Sequence, residues 1–139
     1  MADVSTFEDV PLPADQVWPV IGDFGGIRKW AVLVQSESVE DTPAGKVRTL
    51  AMPENRVVKE RLAHASQYSY TYTMLDRPEM ADYRSTVAVV PLDAKTSRIT
   101  LIMHLSPSEG QTDEDITARY TRSLRGNLRA MKKALGLPL

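Results

Sequence analysis

Apolar and polar positions near the carboxyl end of the chain repeat with the period of an α-helix. Between Thr112 and Pro138 the apolar side chains recur at spacings of three and four residues, which places them on one helical face. They are Ile116, Tyr120, Leu124, Leu128, Met131 and Leu135. Thr112 offers an N-cap hydroxyl, and Gly136 allows a left-handed stop. The pattern predicts one long amphipathic helix over residues 113–135, with its apolar face buried.

The middle of the chain instead alternates with a period of two, which is typical of half-buried strands. In the clearest example, Tyr68, Tyr70 and Tyr72 alternate with serine and threonine. We predict strands at residues 46–52, 56–65, 68–76, 80–90 and 97–105. Because short turns join consecutive strands, we expect an antiparallel sheet.

The amino-terminal third combines extended and helical segments. The pattern predicts a strand at residues 4–12, a short helix at 14–23, a second helical piece at 26–30 and an extended segment at 33–40. With the later elements, this order predicts an α+β fold. We expect a curved seven-stranded antiparallel sheet wrapped around the long carboxyl-terminal helix, with two short helices after the first strand.

The alternation also assigns inner faces to most strands. In the strand at 56–65, Val57 and Lys59 form the outer set, so Glu60 is predicted to face inward. In the strand at 46–52 the pattern does not decide whether Arg48 or Val47 faces inward. For the last two strands we take the more apolar sets as inner: Tyr83, Ser85, Val87 and Val89, then Ile99, Leu101, Met103 and Leu105.

Composition narrows the function classes. With 139 residues, of which 42% are hydrophobic and 25% charged, the chain fits a single domain over residues 1–139. A net charge of −1 gives no general preference for nucleic acid or an anionic membrane. There is no cysteine, which excludes disulfides and thiol chemistry. We see no secretory segment and no apolar run long enough for a membrane span, so we expect a cytoplasmic protein.

A set of short motifs occurs along the chain in a specific order. They are Val17-Trp18, Gly22-Asp23-Phe24-Gly25-Gly26, Trp30, Gly45-Lys46-Val47-Arg48-Thr49-Leu50 and Val58-Lys59-Glu60-Arg61-Leu62. This order resembles the polyketide cyclase/dehydrase (SRPBCC) branch of the START-like, birch-pollen-allergen-like helix-grip superfamily. The resemblance implies a helix-grip fold with a deep, mostly apolar cavity between the sheet and the terminal helix.

The chain departs from the family pattern at two places. Trp30 is followed by Ala31-Val32 rather than by a proline, and Pro78-Glu79-Met80 replaces the usual Leu-Pro before the tyrosine strand. Both departures are expected near the mouth of the cavity. We therefore do not carry the identity of any family ligand over to this chain.

The resemblance also implies that Arg48 and Glu60 point into the cavity from neighbouring strands. Three roles remain open for them. They can form a buried pair that fixes the strand register, Arg48 can grip a ligand carboxylate or phenolate, or Glu60 can act as a general acid or base.

Other side chains are candidates for ligand contact, although an aromatic stripe at strand spacing also suits plain packing. Trp30 is expected at the cavity rim, either packing or gating, and Trp18 in the core. The candidate ligand-binding residues are Trp30, Arg48, Leu50, Glu60, Tyr70, Tyr72, Tyr83, Leu101, Met103, Tyr120 and Leu124.

The remaining polar groups do not indicate a further site. His64 and His104 have no partners at metal-ligand spacing, so we expect no metal and no cofactor. The basic side chains of the terminal helix are interpreted as a solvated face rather than a nucleic-acid surface. They are Arg119, Arg122, Arg125, Arg129, Lys132 and Lys133.

Two functions follow as hypotheses. The first is a monomer or homodimer that binds a small hydrophobic molecule, aromatic, lipid or polyketide-like, in the internal cavity. The second is an enzyme of the polyketide cyclase/dehydrase type, with Glu60 moving protons while Arg48 and the tyrosines stabilise an enolate. A third class, an interaction module that acts through its surface, would leave the cavity without a role.

Overall fold

Seven strands form one antiparallel sheet in a computed structural model that describes residues 1–139. The strands are β1 (Ala2–Val10), β2 (Ser36–Thr42), β3 (Gly45–Met52), β4 (Arg56–Ser66), β5 (Ser69–Met74), β6 (Arg84–Pro91) and β7 (Ser97–Leu105). Their order in the sheet is β1-β7-β6-β5-β4-β3-β2. Strands β2 to β7 therefore run as a meander, and β1 pairs with β7 along its whole length from Ala2↔Leu105 to Val10↔Ser97.

The helices complete the predicted α+β fold. Helix α1 (Ala14–Ile21) and a 3-10 helix (Phe24–Lys29) lie between β1 and β2, a second 3-10 helix (Pro78–Met80) precedes β6, and α2 (Asp113–Ala134) ends the fold. The expected architecture, a seven-stranded antiparallel sheet with a long terminal helix and short helices after the first strand, is confirmed. No helix has the length and apolarity needed to cross a membrane.

Helix α2 begins and ends close to the predicted residues. At its start, Thr112 Oγ1 accepts a hydrogen bond from the Asp115 backbone N–H (3.1 Å), and Asp115 Oδ2 accepts one from the Thr112 N–H (3.0 Å). This capping box satisfies two amide donors at the helix start. Helix α2 ends at Ala134, one residue before the predicted end, because Leu135 is the C-cap. Its buried side chains are Ile116, Leu124, Leu128 and Met131.

Several predicted boundaries are wrong by two or more residues. Strand β1 starts and ends earlier than residues 4–12, since its ends match those of its partner β7. Strand β2 lies at Ser36–Thr42 rather than 33–40, because it pairs with β3 from Ser36↔Ala51 to Thr42↔Gly45. The preceding residues are then free to form a loop, in which Val34 is buried and Leu33 is exposed.

The helical pieces of the first half also differ from their predicted bounds. Helix α1 ends at Ile21, two residues early, with Gly22 as its C-cap. The 3-10 helix starts at Phe24, where Asp23 Oδ1 accepts a hydrogen bond from the Gly25 N–H (3.2 Å). The second helical piece, predicted at 26–30, therefore begins two residues early, and Gly26 within it has non-helical backbone angles (φ −123°, ψ 38°).

The strand predicted at 80–90 begins late, at Arg84. The Pro78–Met80 3-10 helix includes its first residue, and the Tyr83 N–H donates to the Met80 carbonyl (3.0 Å) to close the turn that follows. Proline at the first helical position suits such a turn. The inner set of Tyr83, Ser85, Val87 and Val89 is nevertheless buried as predicted.

Candidate functional site

A cavity of about 550 Å³ lies between β3, β4 and β5 on one side and the middle of α2 on the other. The loop after the first 3-10 helix forms its mouth, where Val32 and Leu33 line the cavity and are 80% and 64% exposed. Twelve of its 17 lining residues are hydrophobic. Such a size and lining are typical of sites for small organic molecules.

Alternation along β4 turns Glu60 toward this cavity, opposite Arg48 on β3. The two form an ion pair between Arg48 Nε and Glu60 Oε1 at 2.8 Å. Arg48 Nη1 also donates to the Phe24 carbonyl (3.1 Å) and to the Tyr70 hydroxyl (3.3 Å). Both members of the pair are nearly inaccessible, at 1% and 5% exposure. The inward orientation of Glu60, predicted from alternation, agrees with the structure.

Aromatic rings surround the Arg48 guanidinium. Its Cζ atom lies 4.4 Å from the centroid of the Phe24 ring and 4.7 Å from that of Tyr72. The negative faces of aromatic rings stabilise a cation that has left water. Phe24 lies on the 3-10 helix, Tyr72 on β5 and Glu60 on β4, so three separate elements hold the Arg48 side chain in place.

Burial changes the proton affinities around the cavity. Burial raises the pKa of Glu60 from its ordinary value, and the attraction of Arg48 opposes this change only in part. Burial also raises the pKa of Tyr70, moves that of Tyr72 well above the ordinary range, and raises that of Tyr83 to about 12. Desolvation by burial acts to lower the pKa of Arg48, but the neighbours that surround it, Glu60 among them, outweigh desolvation and raise it. The three tyrosines are therefore neutral and Arg48 is charged at physiological pH.

A second, much smaller chamber of about 30 Å³ lies behind the main cavity. Ile27, Trp30, Tyr72 and Asn127 line both spaces and so form the boundary between them. Arg48 lines the small space only. We call the two spaces the outer cavity and the inner chamber.

The structure places most of the predicted ligand-contact residues along these two spaces. Leu50 and Glu60 line the outer cavity, while Arg48, Tyr70, Leu101 and Leu124 line the inner chamber, and Trp30 and Tyr72 line both. Their contact with a ligand stays a prediction.

Three predicted contact residues lie outside both linings. Tyr83 is separated from the outer cavity by Tyr72, whose ring centroid lies 6.1 Å from its own. Met103 is buried in the core cluster. Tyr120 lies one turn before Leu124 on α2, and it borders a different hollow of about 110 Å³ together with Met80. The Pro78–Met80 helix, expected near the cavity mouth, belongs to that hollow as well.

The sequence reasoning missed a row of small and polar side chains on α2 that lines the outer cavity. These are Arg122, Ser123, Gly126, Asn127 and Ala130. These residues lie beside the apolar face of α2. A pattern that sorts positions only into apolar and polar therefore assigns them to the solvent-exposed surface. Gly126 was the available signal, because a glycine inside a helix costs stability and usually has a packing or functional reason. A Cβ atom added at Gly126 would meet no atom within 4 Å.

Other charged groups lie away from the cavity. His104 contacts Asp3 on the outer face of the sheet, and His64 is exposed. No group of three or more His, Cys, Asp or Glu side chains is arranged to hold a metal ion. On the basic face of α2, Lys132 pairs with Glu8 at 2.7 Å and Arg125 donates to Thr6 Oγ1 at 3.1 Å. Part of that face therefore fastens the helix to β1.

Comparisons with known proteins agree with this geometry. A family model described as "Polyketide cyclase / dehydrase and lipid transport" matches residues 1–136. The protein XoxI from Bacillus cereus is similar in structure, with 27% sequence identity, a TM-score of 0.81, and coverage of 97% of this chain and 96% of that chain. No curated protein matches the chain in sequence.

Two more distant solved structures share the fold. A START superfamily protein from Mycobacterium smegmatis has 10% identity and a TM-score of 0.80, covering 98% of each chain. The ZhuI aromatase/cyclase from Streptomyces sp. R1128 has 18% identity and a TM-score of 0.68, covering 96% of this chain and 90% of that one. At these identities the likeness shows the fold alone.

Proposed function

Because the chain belongs to the polyketide cyclase/dehydrase and lipid transport family, we propose that it binds a small, mostly apolar organic molecule in the outer cavity. The observation that carries this proposal is the cavity itself, about 550 Å³ with a predominantly hydrophobic lining. A space of that volume matches an aromatic or short-chain lipid ligand.

The cavity lining offers a ligand apolar contacts in one part and polar contacts in another. Met52, Val58 and Met74 offer apolar surface on the sheet side, and methionine adapts well to ligands of different shape. Glu60 and Tyr72 present polar groups at the deep end. A ligand therefore gains its affinity from buried apolar area and its orientation from the deep polar groups.

The exposed mouth gives such a ligand a way in. Val32 and Leu33 are apolar and exposed at the edge of the cavity, and Arg122 lines the same space from α2. Large exposed apolar side chains that border a cavity are typical of binding grooves. The mouth loop and α2 are thus the elements that a ligand meets first.

A titration with the fluorescent probe 1-aminoanthracene tests the proposal, using Gly126→Leu as the blocking variant. Leucine at this position extends into the cavity from a helix interior where glycine is unfavourable, so α2 is expected to stay folded. Ala134→Leu is the matched control, because it adds a leucine side chain to the exposed end of the same helix.

We expect saturable fluorescence enhancement for the wild type and for Ala134→Leu. For Gly126→Leu we expect an affinity at least about tenfold lower, which corresponds to about 1.4 kcal/mol of lost binding free energy. Equal affinities for all three proteins would contradict binding in this cavity, provided that circular dichroism shows the same fold.

A second candidate function is catalysis of the cyclase/dehydrase type in the same cavity. The observation that favours it is Glu60, a carboxyl group that lines the cavity and whose pKa burial raises. A carboxyl with a raised pKa suits proton transfer near neutral pH. Once Glu60 has taken up the proton and become neutral, Arg48 together with neutral Tyr70 and Tyr72 would stabilise the negative charge of the enolate that forms.

Glu60→Gln separates the two functions. A binding protein keeps most of its affinity for 1-aminoanthracene in this variant, because the cavity shape is retained. A cyclase or dehydrase keeps binding but loses turnover of a poly-β-carbonyl thioester by at least about a hundredfold, the usual contribution of a general acid or base. Turnover that is absent from the wild type itself would contradict the enzymatic function.

A further inference from the structure

Two buried hydrogen-bond donors have no acceptor in the protein. They are Nε1 of Trp30 and Nη2 of Arg48, on side chains that are 7% and 1% exposed. The other nitrogens of Arg48 are all engaged, Nε with Glu60 and Nη1 with Phe24 and Tyr70. Unpaired buried donors are rare in folded proteins, so each of the two calls for an explanation.

Both donors belong to side chains that line the inner chamber. The volume of the chamber, about 30 Å³, accommodates a single water-sized group. One oxygen atom with two lone pairs would satisfy both donors at once. The geometry thus favours an acceptor oxygen that enters from the outer cavity, across the shared boundary at Trp30, Tyr72 and Asn127.

The charge of the chamber indicates which kind of oxygen it takes. Arg48 is the one charged residue in the chamber lining, and Glu60 already matches its positive charge at 2.8 Å. A carboxylate ligand would therefore leave an uncompensated negative charge in a buried, mostly apolar space. A carbonyl oxygen is neutral, accepts two hydrogen bonds, and brings no donor that needs a partner of its own.

We propose that the inner chamber is a subsite for a neutral carbonyl oxygen, which accepts hydrogen bonds from Trp30 Nε1 and Arg48 Nη2. The ligand then enters with its carbonyl group first, and its apolar remainder fills the outer cavity. This subsite rests on the proposed function, and it narrows the ligand class to apolar ketones, aldehydes, esters or thioesters.

Three naphthalene probes of similar shape test the proposal: 2-acetylnaphthalene, 2-ethylnaphthalene and 2-naphthoate. The first carries a carbonyl oxygen, the second replaces it with hydrogens, and the third is an anion. Each is titrated at mildly alkaline pH into the wild type, Trp30→Phe and Trp18→Phe. Trp18 is the matched control, because it is a tryptophan outside both cavity linings.

We compare the ratio of the ketone's affinity to that of the ethyl compound. In Trp30→Phe we expect this ratio to be about fivefold lower than in the wild type, because one hydrogen bond to the ketone is lost. The ratio of the two affinities should stay unchanged in Trp18→Phe. Binding of the ethyl compound to Trp30→Phe shows that the variant is folded. In the wild type we expect 2-naphthoate to bind more weakly than the ketone.

Infrared spectroscopy of bound 2-acetylnaphthalene gives a readout on the wild type alone. A carbonyl that accepts two hydrogen bonds absorbs at lower frequency than the same ketone in hexane. A band at the hexane frequency overturns the subsite, as does an unchanged affinity ratio in Trp30→Phe or tighter binding of 2-naphthoate than of the ketone. Failure of all three probes to bind the wild type would instead overturn the proposed function, and the subsite with it.

Discussion

At the scale of single residues, Glu60 is a carboxyl group for which the effect of burial outweighs that of its ion pair with Arg48. Its pKa in the folded protein is raised above the ordinary value of 4.5. The folded state therefore holds a proton at Glu60 more tightly than the unfolded chain does, so this group stabilises the fold at acidic pH and loses that contribution as the pH rises.

This sign gives a direct prediction for Glu60→Gln. The free energy of unfolding of the wild type minus that of the variant should decrease as the pH rises from about 4 to about 7. Urea denaturation at a series of pH values measures both. The other carboxyl groups are present in both proteins, so their contributions to the pH dependence of unfolding cancel in this difference. Asp9 and Asp82, whose pKa values are lowered by hydrogen bonds from Arg98 and Ser106, are examples. A difference that grows with pH would show that the ion pair, and not burial, dominates.

The sequence could predict these side chains only in part. The alternation along β4 correctly predicted that Glu60 faces inward. Alternation could not orient β3, and the inward orientation of Arg48 was predicted from the family resemblance. In the structure Val47 and Arg48 are both buried, so burial does not distinguish the two faces of β3 at this point. The unpaired donors of Trp30 and Arg48 could not be predicted, since they depend on how rings from Phe24, Tyr70 and Tyr72 close around the guanidinium.

At the scale of elements, two helix glycines serve opposite purposes. Gly22 caps α1 directly beneath the Trp18 ring, and a Cβ atom built there would lie 2.2 Å from ring carbons. Gly126 lies in the middle of α2 beside the outer cavity, and a Cβ atom there meets nothing within 4 Å. One glycine permits close packing, and the other leaves space open.

Alanine at these two positions should change stability in opposite directions. Gly126→Ala is expected to stabilise by about 0.5–1 kcal/mol, because glycine is unfavourable inside a helix. Gly22→Ala is expected to destabilise by about 1–3 kcal/mol, because the Trp18 ring must move. Each variant is the other's control in thermal and urea denaturation. A stabilised Gly22→Ala, or a destabilised Gly126→Ala, would contradict the packing described here.

Elements with strong local signals were predicted best. The ends of α2 followed from its cap and stop residues, and β7 was placed at its exact bounds, residues 97–105. The starts of β2 and β6 were wrong, because they are set by pairing with β3 and by the Pro78–Met80 turn rather than by their own alternation. Pairing with the next strand overrides the local pattern at β2, and a competing turn does so at β6.

At the scale of the whole molecule, the helix-grip architecture and the family membership were predicted from the order of motifs and are confirmed. The volume of the cavity could not be predicted, because it depends on the positions of flexible side chains such as Met52 and Met74 and on the mouth loop. The division into an outer cavity and an inner chamber could not be predicted either, since it depends on side chains from three elements: the first 3-10 helix with its C-cap, β5 and α2.

The six methionines can report directly whether a ligand occupies the space between the sheet and the helix. Met52 and Met74 line the outer cavity and Met131 lines the inner chamber, whereas Met80 and Met103 lie outside both. We would titrate 1-aminoanthracene into the protein with labelled methionine methyl groups and follow their NMR signals. If the probe occupies the outer cavity, the signals of Met52 and Met74 shift saturably and those of Met80 and Met103 do not move. Shifts confined to Met80 or Met1, or no shift at saturating probe, would contradict binding in the outer cavity.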